Sequence, residues 1–158
     1  MIELSLRNRQ RDRLINLPAL RRLIRSLLAD VFHAEAAQLC VHLVGAEEMA
    51  RVNRHYLNHE GSTDVITFDH SDGGPDGEIF GELFISIADA VKQGREFEEP
   101  WQSELARYVI HGLLHLRGYD DLEPADRKTM KKEENRLLRH VAARRDLLKL
   151  EKKDSLAP

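Results

Sequence analysis

The chain has 158 residues, of which 32% are charged and 42% apolar; that is enough for one well-formed core, too little for two ordinary domains, and unlike a disordered or fibrous sequence. No apolar run approaches the roughly 20 residues of a membrane span, and the N-terminus lacks a signal-peptide h-region, so a cytoplasmic protein without a membrane partner is expected. The lone Cys40 rules out an internal disulfide and a cysteine-based zinc motif, leaving histidines and carboxylates to hold any metal.

The net charge of −3 conceals a segregation along the chain: residues 1–30 carry seven Arg against three acidic residues, residues 45–104 four basic against fourteen acidic, and residues 127–153 eleven basic against four acidic. Basic ends of this kind attract phosphate backbones, and an acidic middle favours a divalent cation. Solvated helix faces account for the same runs, so charge alone decides nothing.

In chain order, residues 1–8 (MIELSLRN) alternate like a half-buried strand. Pro18 opens an amphipathic helix, PALRRLIRSLLADVFH, with an arginine face. Residues 38–44 (QLCVHLV) form a second strand ended by Gly45, and a short helix follows over residues 46–57. The β-rich TDVITF (63–68) and ELFISIA (82–88) read as a hairpin-like pair or as neighbouring strands about a polar loop, DHSDGGPDG, long enough to be mobile. A short helix over 88–97 leads to Pro100, which starts a longer helix to about Arg117, where Gly118 supplies the left-handed stop. Pro124 opens a last helix through about Leu150 with a sparse apolar stripe, Met130, Leu137, Leu138 and Val141. The expected fold is α/β, α+β-like, with a four-stranded mixed sheet and about five surrounding helices in one domain over residues 1–150, followed by a frayed tail, 151–158.

The helix over 101–117 carries the chemistry. Leu105, Ala106, Val109, Ile110, Leu113, Leu114 and Leu116 cover more than half its circumference, so it should be largely buried. His111 and His115, four positions apart, project from one face about 6 Å apart along the axis and can converge on one ion, and Tyr108 and Glu104 extend the same stripe. In a chain with eight histidines such a pair is weak evidence alone. Gly118, however, lets the backbone reverse so that Asp121 can swing back over the helix end. Two imidazoles and a carboxylate make the three-ligand set of catalytic zinc, which makes hydroxide available at neutral pH, although Fe(II), Ni or Mn suit the same donors. Asp120 is the alternative ligand, or else orients an imidazole or caps the turn.

Metzincin-type peptidases share the His-x3-His-x2-Gly-x2-His/Asp spacing but carry a glutamate base after the first histidine, where this chain has Gly112. The sequence more closely resembles the YbeY family of bacterial endoribonucleases over most of its length, through NRHYLNHEGSTDVITF, GELFISI and HGLLHLRGYDD. The resemblance implies a mixed sheet surrounded by helices, a zinc ion and activity on ribosomal RNA. It departs at three places: Asp121 stands where the family has a third histidine, Leu57 where it has an arginine thought to act on the scissile phosphate, and Asp69 where a proline follows the Phe. An alkyl chain cannot stabilise phosphoryl charge, which leaves Arg54, His55 or His59 to serve from nearby. Thr63 and Asp64 match the family block and are expected near the cleft, or else satisfy backbone amides at a strand start.

The function expected is therefore a zinc-dependent, single-strand-specific endoribonuclease in maturation of the small-subunit rRNA 3′ end, with His111, His115 and Asp121 as metal ligands and Arg54 and His59 in the catalytic set. Its partners would be ribosomal RNA, the small subunit and assembly factors, with no DNA. The alternatives are an RNA- or ribosome-associated metal-binding protein of weak or lost activity, or a metal-dependent hydrolase of another substrate.

Overall fold

The computed structural model describes residues 1–58, 61, 63–71 and 77–153. Four strands, β1 (Ile2–Arg9), β2 (Ala36–Val44), β3 (Val65–Asp69) and β4 (Glu78–Ser86), form one sheet in the order β1-β2-β4-β3. β1 and β4 flank β2 in parallel, and β3 joins β4 antiparallel as an edge strand, with Val65 opposite Ile85 and Asp69 opposite Gly81. The expected mixed sheet and the β3–β4 pair are thus present. Residues 72–76 of the polar loop between them lie outside the described residues.

The helices are α1 (Leu17–Ser26), α2 (Ala46–Leu57), α3 (Ile87–Phe97), α4 (Trp101–Leu116) and α5 (Pro124–Arg144). Alternation in β2 and β4 sends Leu39, Val41, Leu43, Leu83 and Ile85 to one face, where they join Leu20, Leu23 and Ile24 of α1, the apolar arc of α4, and Met130, Leu137 and Val141 of α5 in one core. On the opposite face a smaller cluster, Val44, Met49, Val52 and Ile66, lies with Phe68 and Phe84. α4 packs on β3, β4, α3 and α5 and is buried on most sides, as its broad apolar arc predicts. No helix among the described residues is long and apolar enough to cross a membrane.

Three boundaries differ by more than two residues from the sequence reading. β4 begins at Glu78 rather than 82, because Gly81 interrupts the visible alternation; a Cβ there would lie 2.6 Å from the Phe68 carbonyl oxygen and 2.7 Å from Leu116. The helix expected through His33 is α-helical only to Ser26 and then widens into a π turn over Leu27–Val31. The last helix stops at Arg144 rather than near Leu150: Arg145 is extended, and Asp146 caps a 3-10 turn over Leu147–Leu150 by accepting from the Leu148 amide. That turn returns Leu147 and Leu150 to the core, and it pins the first tail residues, with Glu151 bridging Ile15 and the Lys152 amide donating to the Leu14 carbonyl at 2.9 Å. Residues 154–158 lie outside the described residues.

Candidate metal centre and cleft

The helix end builds the site. Gly118 has φ +95°, and around it the Tyr119 amide donates to the Leu114 carbonyl (3.0 Å) and the Gly118 amide to that of His115 (2.9 Å), the paired bonds of a Schellman turn. The chain therefore reverses over the C-terminus of α4. Asp120 closes the loop, its Oδ1 accepting from the amides of Asp121 (2.7 Å) and Leu122 (3.1 Å). Asp121 is left to face the rings, with Oδ2 3.4 Å from His115 Nε2 and 3.7 Å from His111 Nε2, while the two Nε2 atoms are 3.2 Å apart.

The partners of the other ring nitrogens fix the tautomers. His111 Nδ1 faces Glu134 Oε2 at 2.9 Å, and His115 Nδ1 faces the Tyr119 carbonyl at 3.1 Å. Both partners only accept, so the Nδ1 atoms carry hydrogens, and in their neutral form the rings turn their Nε2 lone pairs toward each other and toward a carboxylate. Such a meeting of acceptors is repulsive unless a cation lies among them. Metal–nitrogen bonds of about 2.05 Å place tetrahedral donor atoms about 3.3 Å apart, close to the spacings found. The three residues fit a divalent cation of the zinc type, with a position left open for a fourth ligand.

Cys40, His42 and Glu82, on the opposite face of the sheet, also bring ligand-type atoms within 4.8 Å of one another. There the chemistry is wrong. His42 Nδ1 faces Arg9 Nη2 at 3.1 Å, a group that only donates, so His42 Nε2 keeps its hydrogen and gives it to Glu82 Oε1 at 2.9 Å. A cation at Nε2 would force the proton against a guanidinium. His70 donates to the other Glu82 oxygen at 2.9 Å, and the two bonds hold that carboxyl below its usual range.

Glu134 is the functional residue that sequence reasoning missed. It sits on α5 in register with the buried Met130, Leu137 and Val141, and a glutamate on the apolar stripe of an amphipathic helix was the available signal. Burial alone would push its carboxyl up, but hydrogen bonds from His111 and from Arg107 (Nη1 to Oε1, 2.9 Å), with Lys131 nearby, hold it at about 2. Burial likewise opposes protonation of His111, yet the Glu134 bond and the charges of Asp64 and Asp121 raise its pKa above the ordinary value. Carboxylate partners of this kind orient and strengthen a metal-ligating imidazole, and Glu134→Gln is expected to lower metal affinity about 10–100-fold by isothermal titration.

His111 and Asp121 open onto a cleft of about 660 Å³ that is also lined by Asp64, Phe97, Glu104, Arg107, Tyr108, Arg127, Lys131 and Glu134. Asp64 thus borders the cleft while its Oδ1 accepts from the Val65 amide (2.7 Å) and from Thr63 Oγ1 (3.5 Å). Leu57, 43% exposed, lines a groove with His115 along the open edge of β3. Arg54 and His55 are exposed on the last turn of α2 and line neither hollow, and His55 stands edge-on to Tyr56. His59 lies outside the described residues.

Comparison with known proteins is consistent with this geometry. Residues 5–142 match the family described as Endoribonuclease YbeY. Proteins of that name from Phocaeicola vulgatus and Parabacteroides distasonis are 42% identical over 92 residues (58% of this chain and 64% of that protein) and 35% identical over 128 residues (78% and 88%). The solution structure of TM1509 from Thermotoga maritima superposes over 100% of both chains with a TM-score of 0.65 at 24% identity, which establishes the shared fold. The chain belongs to the YbeY endoribonuclease family.

Proposed function

We propose that this protein is a zinc-dependent endoribonuclease of single-stranded RNA acting in the cytoplasm on ribosomal RNA at the 3′ end of the small subunit, in company with the assembling ribosome. The observation that carries the reading is the pair of Nε2 atoms turned onto one point and closed by Asp121, beside a cleft of about 660 Å³. When bound, the cation supplies Lewis acidity toward a phosphoryl oxygen. His111, His115 and Asp121 hold it; Glu134 and the Tyr119 carbonyl keep the two rings in the tautomer that can bind. Arg107 hydrogen-bonds Glu134 (2.9 Å) and Asn135 (2.7 Å) and stands 3.8 Å from Glu104, so its charge chiefly balances the buried Glu134 carboxylate. Arg127 and Lys131 line the cleft and meet the RNA backbone, extending the basic C-terminal segment. Phosphate contacts carry little sequence information, so the choice of cleavage site comes from RNA structure and from base contacts.

The test is cleavage of an unstructured RNA by the purified protein before and after chelation, with zinc, nickel, manganese or iron(II) restored singly. Loss on chelation and recovery with zinc is expected; unchanged cleavage in chelator overturns the reading. A cyclic phosphate at the product end identifies the ribose 2′-hydroxyl as attacker, and a linear phosphate identifies water. Arg54 and His59 stay in the proposed catalytic set as substitutes for the family arginine. Cleavage that is unchanged when Arg54, His55 and His59 are all replaced by alanine removes them.

One observation favours a second reading. Leu57 puts an exposed alkyl chain beside His115 where the family has a guanidinium, which suits an RNA-associated metal protein without turnover. Tight zinc binding with no cleavage of any RNA selects it.

A further inference from the structure

Beside the histidine pair, the cleft offers a set of polar groups that the metal centre does not use. Tyr108 lines it, is only 4% exposed, and has a hydroxyl with no hydrogen-bond partner among the described residues. Glu104, 8% exposed, has as its nearest cation Arg107 Nε at 3.8 Å, beyond hydrogen-bond length. Gln93 adds a half-buried amide from α3, and Phe97, 66% exposed, adds a flat ring at the end of the same helix.

These groups are ordered with respect to the metal. Glu104, Tyr108 and His111 follow one stripe of α4, so Tyr108 lies about 4.5 Å and Glu104 about 10.5 Å along the axis from His111. A nucleotide whose phosphate sits at the metal carries its base about that far. The wall there is poor for a second phosphate: Glu99 and Glu104 would repel it, and the cation of α4 that lines the cleft, Arg107, is hydrogen-bonded to Glu134 and Asn135, while Arg127 and Lys131 come from α5. A carboxylate, an amide, a hydroxyl and a ring are the groups by which proteins read the Watson–Crick edge of an unstacked base.

Resting on the endoribonuclease reading, we propose that this part of the cleft is a nucleobase pocket that receives one unpaired base next to the scissile phosphate, with guanine favoured. Glu104 accepts from the adjacent N1–H and N2–H of guanine, a pair of donors that no other base presents; the Tyr108 hydroxyl and the Gln93 amide take the remaining polar atoms, and Phe97 stacks on the ring. Uracil, with a single imino hydrogen between two carbonyls, is the poorest fit.

The experiment titrates the zinc-loaded full chain with each of the four 5′-nucleoside monophosphates and follows the Met130 methyl, one of three methionine signals, and the Tyr108 ring by NMR. It then compares cleavage of unstructured RNAs differing in one base, for the wild type and for Glu104→Gln and Tyr108→Phe, each with its metal content measured. Guanosine monophosphate should move both signals at the lowest concentration, and Glu104→Gln should lose about tenfold of the preference for G over U. Tyr108→Phe removes an unpartnered hydroxyl, so it should keep the fold and still lower the preference. Equal responses to all four nucleotides, signals that do not move, or variants that keep the wild-type preference with full metal content overturn the pocket. Cleavage without base preference sinks the pocket and leaves the nuclease reading standing; guanosine monophosphate bound in the cleft without cleavage of any RNA does the reverse.

Discussion

Replacing either His111 or His115 by alanine is expected to take the metal content from about one ion per chain to near zero, and RNA cleavage to the limit of detection. Each ring contributes one of three ligand atoms that lie 3.2–3.7 Å from one another, and the remaining imidazole and carboxylate cannot close a tetrahedral site. The loss should also show without any substrate. A ligand that binds only the folded chain stabilises it by about 2.7–4.1 kcal/mol at 100 to 1,000 times its dissociation constant, so zinc should raise the Tm of the wild type and leave that of either variant unmoved. The aspartates give an internal control. Asp121→Asn keeps the shape but removes the charge that faces both rings, and it should lose metal. Asp120→Asn retains an oxygen to accept from the amides of Asp121 and Leu122, so it should bind like the wild type. Full occupancy in Asp121→Asn together with loss in Asp120→Asn would reverse the assignment of the third ligand.

Why these residues were legible while their supports were not follows from the range of each signal. His111, His115, Gly118 and Asp121 lie within one helical turn and one reversal, and both have known geometry, so spacing alone brings their side chains to one point. Glu134 is 23 residues from His111 and reaches it only because α5 packs on α4; periodicity shows a stripe, not what the stripe faces. Arg107 belongs to the same interface. Glycine misled once: Gly81 hid the first half of β4, because a residue chosen for close approach of two elements leaves no mark in a hydrophobic pattern. Gly112 reads correctly as the absence of a peptidase base, but the contact with Leu83 that requires it shows only in the packing of α4 on β4. The end of α5 was overdrawn because Arg145 and Asp146 continue a charged helical composition, and only the capping bond that the Leu148 amide donates to Asp146 shows the chain turning inward.

Gly112 carries the second large effect. A peptidase reading of the histidine pair needs a glutamate there, and an engineer would try Gly112→Glu. The result expected is an unfolded or insoluble chain with no peptidase activity. A Cβ at Gly112 would lie 2.6 Å from Leu83 Cδ2 and 2.9 Å from its Cδ1, and Leu83 is wholly buried on β4, between β2 and β3. Alanine alone sets a helix-propensity gain of about 1 kcal/mol against an overpacking cost of about 1–3 kcal/mol, so Gly112→Ala should range from neutral to about 2 kcal/mol less stable by denaturant titration. Glutamate adds a carboxylate forced among apolar side chains without a partner, which costs several kcal/mol more and rivals the roughly 5–15 kcal/mol that holds such a domain together. The cause can be isolated, because Leu83→Val removes the two offending methyl groups. Alone it should destabilise through the cavity it leaves; combined with Gly112→Ala it should cost less than the two single changes summed. Strict additivity in that cycle, or a soluble Gly112→Glu protein that binds zinc and cleaves peptides, would mean that α4 and β4 are not in contact at this point and that the glycine reflects something other than the close approach of helix to sheet.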